Sequence, residues 1–121
     1  MTFEITKDEH LTRRGDCVIA VQATKGLGEL SPELRNLCRR DDARIIVELR
    51  GAGIYDSIEG RGSADLSLSH SSEIVGRKSA YVSDRTLMVG ANKAASDIDR
   101  ELVCALRSPD TRLAIRIIAE V

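Results

Sequence analysis

Arg77, Lys78 and Ser79, then Arg85 and Thr86, then Lys93, form the most unusual accumulation of cations and hydroxyls in the sequence. Backbone N–H groups at a helix start, together with Arg and Lys, suit phosphate or carboxylate, and Ser79 and Thr86 would add donors. The spacing predicts a hairpin over residues 78–82 and 86–89, turning at Asp84 and Arg85, followed by a helix from Lys93 that completes the cluster. A cation in a first helical turn opposes the helix macrodipole, at a cost of about 0.3 to 1 kcal/mol when exposed. Neighbouring cations also repel one another, and a bound anion would relieve both effects. The competing reading is that these side chains are solvated or pair with Asp84, Asp97 and Asp99.

A second polar group, His10, Thr12, Arg13, Arg14, Gly15 and Asp16, crowds one loop before an apolar segment. A carboxylate beside two arginines could hold a polar ligand or assist proton transfer, although turn chemistry and surface ion pairs explain it equally well. His70 lies among serines in Ser69-His70-Ser71-Ser72, a weak signal for a base beside a hydroxyl. Gly60-Arg61-Gly62-Ser63 and Gly26-Leu27-Gly28 complete neither phosphate-loop pattern and read as turns. Cys17, Cys38 and Cys104 are widely spaced with no C-x-x-C pair, so free thiols are expected and no metal or cofactor is implied.

The 121 residues suit a single domain, 1–121, with one core. Hydrophobic residues make up 42% of the chain, yet Phe3, Tyr55 and Tyr81 are its only aromatics. The core must therefore be aliphatic, and stacking platforms for single-stranded nucleic acid are lacking. Eighteen Lys and Arg against nineteen Asp and Glu give a formal charge of −1, so no global field recruits nucleic acid or an anionic membrane. No apolar run approaches the length of a bilayer span, and residues 1–10 carry no signal-peptide core. A cytoplasmic location is expected.

The elements that must position these residues are legible as periodicities. Residues 2–6 alternate as a strand with Phe3 and Ile5 on one face, and residues 17–23 read as an interior strand. Ser31-Pro32-Glu33 opens a helix expected to run to about Arg40, with Leu34, Leu37 and Cys38 as its apolar stripe. Residues 43–50 alternate with Ile45, Val47 and Leu49 inward, and residues 54–58 form a weaker strand. Leu66 and Leu68 mark another strand. The second helix is expected over residues 93–107, capped by Asn92, with Ala95, Ile98, Leu102, Ala105 and Leu106 buried. Residues 112–119 close the chain as a strand burying Leu113, Ile115 and Ile117. The pattern predicts an α+β fold, a mixed sheet of six to seven strands with two main helices.

The segments Glu4-Ile5-Thr6-Lys7, Leu11 to Val18 (LTRRGDCV), Arg77-Lys78-Ser79, Arg85-Thr86-Leu87, Lys93 to Asp97 (KAASD) and Arg100-Glu101-Leu102 together resemble the mainly archaeal domain of unknown function 371 family. The resemblance spans nearly the whole chain and implies a compact α+β fold and an archaeal source, and no reaction. Members of that family often carry an additional strand upstream, with a Gly-His and a later His; this chain starts almost at Glu4-Ile5-Thr6, so either a site built on those histidines is absent or the start is assigned too far downstream. Asn92 stands where an Asp is usual, which keeps capping ability and removes a charge.

Three functions remain open at this point: a small-molecule binder or enzyme whose anionic ligand sits near Arg77, Lys78, Arg85 and Lys93, a module docking on RNA or a ribonucleoprotein through those cations, and a structural homo-oligomer without ligand. Salt dependence separates the first two, because several phosphate contacts give a steep fall in affinity and a single bound anion gives a shallow one.

Overall fold

A computed structural model describes residues 1–9 and 17–121. Alternating Ile45, Val47 and Leu49, all fully buried, make β3 (Arg44–Gly51) the centre of one sheet. A two-residue loop, Ala52 and Gly53 with φ of 50° and 76°, turns it into β4 (Ile54–Arg61). Two positive φ values match the right-handed twist of the flanking strands. β7 (Ala114–Glu120) pairs antiparallel on the other side of β3, giving the order β4-β3-β7.

The other sheet is mixed, in the order β2-β1-β5-β6. β1 (Thr2–Thr6) runs antiparallel to β5 (Glu73–Arg77) and parallel to β2 (Val18–Ala20), and β5 runs parallel to β6 (Thr86–Met88). The architecture is α+β, with the strands divided between two sheets where one was expected. The sheets join where Arg61 and Val89 form an antiparallel bridge with N–H···O distances of 2.8 and 2.9 Å. A Cβ on Gly60 would lie 2.6 Å from the Met88 sulfur and 2.9 Å from the Val89 carbonyl oxygen. The Gly60-Arg61-Gly62 stretch is therefore no turn; it is where one sheet crosses close to the other, and the glycine makes room. The strands thus follow one another as β2-β1-β5-β6-β4-β3-β7 about a shared core, leaving β2 and β7 as the two ends among the described residues.

Helix α1 (Pro32–Cys38) begins as expected, with the Ser31 hydroxyl accepting the Leu34 N–H at 3.2 Å. Replacing Ser31 by Ala should cost about 1 kcal/mol in denaturant melts; a neutral result would remove Ser31 as the cap. Cys38 and Leu34 face inward while Leu37 is exposed, so the stripe is narrower than its spacing suggested.

Other segments depart from the sequence reading, and around the second helix the cause is a polar side chain that captured the backbone. That helix, α2, covers only Arg100–Leu106 with Asp99 as its cap; Asp99 accepts the N–H groups of Glu101 and Leu102. Upstream, a 3-10 turn over Ala95–Asp97 forms because the Asp97 carboxylate accepts the Ala94 N–H. Aspartates that offer the backbone such local bonds interrupt a helix the apolar period would otherwise sustain. Asn92 is no cap: it exchanges bonds with Glu59, its side-chain oxygen accepting at 2.9 Å and its own N–H donating at 2.8 Å.

Residues 78–85 form a connection between parallel strands and no hairpin turns at Asp84. Thr86, Leu87 and Met88 are all buried, which places β6 inside the molecule and denies it the two-faced alternation a surface hairpin needs. Leu66 and Leu68 are buried without being a strand; Arg39 fastens that loop through the Leu66 and Ser67 carbonyls. Residues 17–23, expected as an interior strand, yield only the three-residue β2 at a sheet end, half-buried.

Candidate functional site

The cationic residues singled out from sequence are each occupied. Lys78 pairs with Asp97 at 2.8 Å, Arg85 with Glu73 at 2.9 Å, and Lys93 with Asp56 at 2.5 Å. Arg77 spends its guanidinium on hydroxyls, donating to Thr86 at 2.9 Å and Ser83 at 3.0 Å, and lies 4.8 Å from the Tyr81 ring centroid. Thr86 is buried and also accepts the Ser83 N–H; the Ser79 hydroxyl accepts the Tyr81 N–H. Asp97 is the only one of Asp84, Asp97 and Asp99 that neutralises a cluster cation among the described residues; the other counterions are Glu73 and Asp56. The Ala94 N–H, with Lys78, holds the Asp97 carboxyl below the usual carboxylate range. Lys93 precedes α2 by several residues, so it opposes no helix dipole. Neither effect that would recruit an anion there remains in force.

The secondary candidates His10, Thr12, Arg14 and Asp16 lie outside the described residues. His70 serves the chain itself, its Nδ1 accepting the N–H groups of Ser72 and Glu73 at 3.2 and 3.0 Å. All three cysteines are free; burial pushes the Cys38 thiol up to about 11, away from nucleophilic use. Among the described residues no three of His, Cys, Asp and Glu gather as metal ligands.

A broad concavity lies elsewhere, at the seam between β2 and β7. This groove of about 1470 Å³ is lined by Val18, Ile19 and Ala20 from β2, Ile115 and Ile117 from β7 with Leu113 just before it, and Val103 and Leu106 from α2. Those side chains are partly buried and several pack on the core, so the floor of the groove is the edge of the core itself. Ile5 and Ile74 reach it from the sheet interior. Its walls also carry Lys25, Arg100, Arg107, Arg112 and Arg116 against two carboxylates, Glu9 and Asp110. Arg116 stands 3.6 Å from Glu48, and Arg100 donates to the Ser96 carbonyl oxygen; Lys25, Arg107 and Arg112 have no ion pair among the described residues.

Sequence reasoning passed over this site, although its components were visible. Leu113, Ile115 and Ile117 alternate with Arg112 and Arg116, and four arginines fall between positions 100 and 116. That pattern marks a strand with an apolar face, but only the tertiary structure shows that this face, packed on the core, also borders an open seam among the described residues.

The fold and groove define a class: a small α+β protein whose two bridged sheets, among the described residues, leave an open seam with an apolar floor and a basic rim. The chain belongs to the family described as domain of unknown function (DUF371), whose family model matches residues 1–120. It is 45% identical over 106 residues to an uncharacterised protein of the archaeon Methanocaldococcus jannaschii, a match covering 88% of this chain and 78% of that protein. Among the described residues no helix is long and apolar enough to cross a membrane.

Proposed function

We propose that the protein binds an anionic small molecule with an apolar body, and that the seam groove, rather than the Arg77, Lys78, Arg85 and Lys93 cluster, receives it. The observation that carries this reading is the pairing of an apolar floor continuous with the core and five cations facing two carboxylates on the walls. Apolar surface supplies affinity roughly in proportion to the area it removes from water. Arginines at the rim select a carboxylate or phosphate head, which they bind bidentately. The cluster offers no comparable surplus of positive charge, because its carboxylates have already taken Lys78, Arg85 and Lys93.

Thermal shift with a series of straight-chain carboxylates and the matching neutral alcohols tests the reading. The carboxylates should raise the melting temperature saturably, by more as the chain lengthens, approaching about 2.7 kcal/mol of added stability at a hundredfold excess over the dissociation constant. The alcohols should give less, and an Arg107→Gln, Arg112→Gln double variant should respond equally to both. Equal responses in the parent protein would remove the basic rim from recognition. A steep fall of affinity for RNA with salt, with no response to the carboxylates, would favour docking on nucleic acid instead.

A further inference from the structure

The outer edge of β7 has no strand beside it among the described residues, and its sequence is self-complementary. The strand runs seven residues, Ala114–Glu120, without proline, glycine or bulge, in unbroken register with β3. A free, regular, largely apolar edge presents a row of unpaired N–H and C=O groups and is a template for another strand. Natural edges are commonly blunted by charge. Here the two charges on the outward face, Arg116 and Glu120, have opposite signs, and that turns a deterrent into a code.

We infer that two copies of this chain pair through β7, antiparallel, about a two-fold axis at Ile118. Antiparallel pairing of identical strands about a residue permits few registers. Centring on Arg116 would oppose like charges, and centring on Ile117 would set Arg116 against Ile118 and Glu120 against Ala114. Centring on Ile118 places Arg116 of each copy opposite Glu120 of the other, Ile118 against itself, and Ile117 against Ala119. It also brings Val121, 62% exposed, opposite Ile115. Within each copy Glu120 already faces Arg44 at 3.3 Å, and Arg116 faces Glu48 at 3.6 Å. The paired sheet would therefore carry an unbroken alternating row, Arg44 and Glu120 of one copy followed by Arg116 and Glu48 of the other. Surface ion pairs stabilise little one at a time, but opposed like charges penalise every competing register, so this row selects the pairing while the backbone ladder and the isoleucines drive it. An interface of this kind is isologous and closed, giving a dimer and no filament. It uses the β7 edge alone, but Arg116 also stands in the groove wall, so association is measured without added carboxylate.

Sedimentation equilibrium on the full chain tests the pairing. The parent should be dimeric in the micromolar range, and Arg116→Glu and Glu120→Arg should each weaken association by roughly tenfold or more, since each opposes two pairs of like charges. An equimolar mixture of the two variants should recover dimer, because in the heterodimer each reversed charge meets its opposite: the new carboxylate at position 116 faces the new guanidinium at position 120, and the unchanged Glu120 of one copy faces the unchanged Arg116 of the other. Melting curves of each variant alone report whether it is folded. Should either fail to fold, Ile118→Cys on a Cys104→Ser background replaces it: oxidation should crosslink two copies at that position, whereas Ala114→Cys on the same background should not. A monomeric parent at hundreds of micromolar, a dimer indifferent to both charge reversals, or a mixture that stays monomeric would each overturn the inference. So would protection of the β7 outer amides from hydrogen exchange in a monomer, which would mean that some other segment covers the edge.

Discussion

Gly76→Ala should be among the most damaging single-methyl additions in this protein, costing about 3 kcal/mol or more, a large share of the 5–15 kcal/mol typical of a whole domain. Gly76 on β5 lies directly opposite Phe3 on β1 and also neighbours Met88 on β6. A Cβ built there would fall 2.0 Å from the Phe3 ring carbon Cε1 and 2.4 Å from Cζ. Phe3 is the chain's one phenylalanine and is fully buried, so its ring has no vacant volume to rotate into. Urea melts measure the loss. The diagnostic is the double variant: Phe3→Leu removes packing by itself, but Gly76→Ala on that background should cost at least about 1 kcal/mol less than on the parent. Additive losses would show that the damage comes from the backbone of β5 and not from the ring.

The second large effect is expected at Asp56, whose carboxylate ties β4 to the segment leading into α2. One oxygen accepts from Lys93 at 2.5 Å and from the Ser57 N–H at 2.8 Å; the other accepts the N–H of Asp99, the α2 cap, at 2.8 Å. The Asp56 side chain is 12% exposed and that of Lys93 30%. Asp56→Ala would strand a partly buried ammonium and two backbone donors together, at a cost of about 2–3 kcal/mol. Burial pushes this carboxyl up, but the hydrogen bond from Lys93 and the N–H groups of Asp99 and Ser57 outweigh it, and the net position is below the ordinary carboxylate value. A group lowered on folding contributes its stability above its unfolded pKa and loses it as pH falls through the folded one. The parent should therefore lose stability on acidification below about pH 4, the unfolded aspartate range. Glu29, Asp42, Glu59 and Asp97 are also lowered, so the observable is the difference between the parent and Asp56→Asn. That difference should be largest near neutrality and shrink in acid; a constant gap from pH 7 to pH 3 would detach Asp56 from the acid response.

Local sequence carried the parts of the fold whose causes are local. Ser31 and Pro32 open α1 because a hydroxyl three residues before a free N–H needs no distant partner. Ile45, Val47 and Leu49 declare β3 because a period of two has no other use in so apolar a run. The failures at α2 and at the cationic cluster have one physical origin, in what carboxylates bond to. Asp97 and Asp99 carry the same helix-compatible spacing whether or not their carboxylates bond the chain, and that competition decided where α2 begins. Glu73, which the structure places on β5, and Asp56, thirty-seven residues from Lys93, neutralised the cluster that had looked unbalanced.

Composition, near-neutral charge, the aliphatic alternations and the caps determined by themselves that this chain is α+β with an aliphatic core. Those are sums and short periods, and every residue contributes to them regardless of its distant neighbours. The tertiary structure alone decided that the strands divide into two sheets joined at Gly60 to Arg61, that β2 and β7 are left as ends, and that the apolar face of β7 opens into a basic-rimmed groove. Such outcomes depend on which segments far apart in sequence come to lie together, and no short-range pattern encodes whether an apolar face will find a partner or keep an open one.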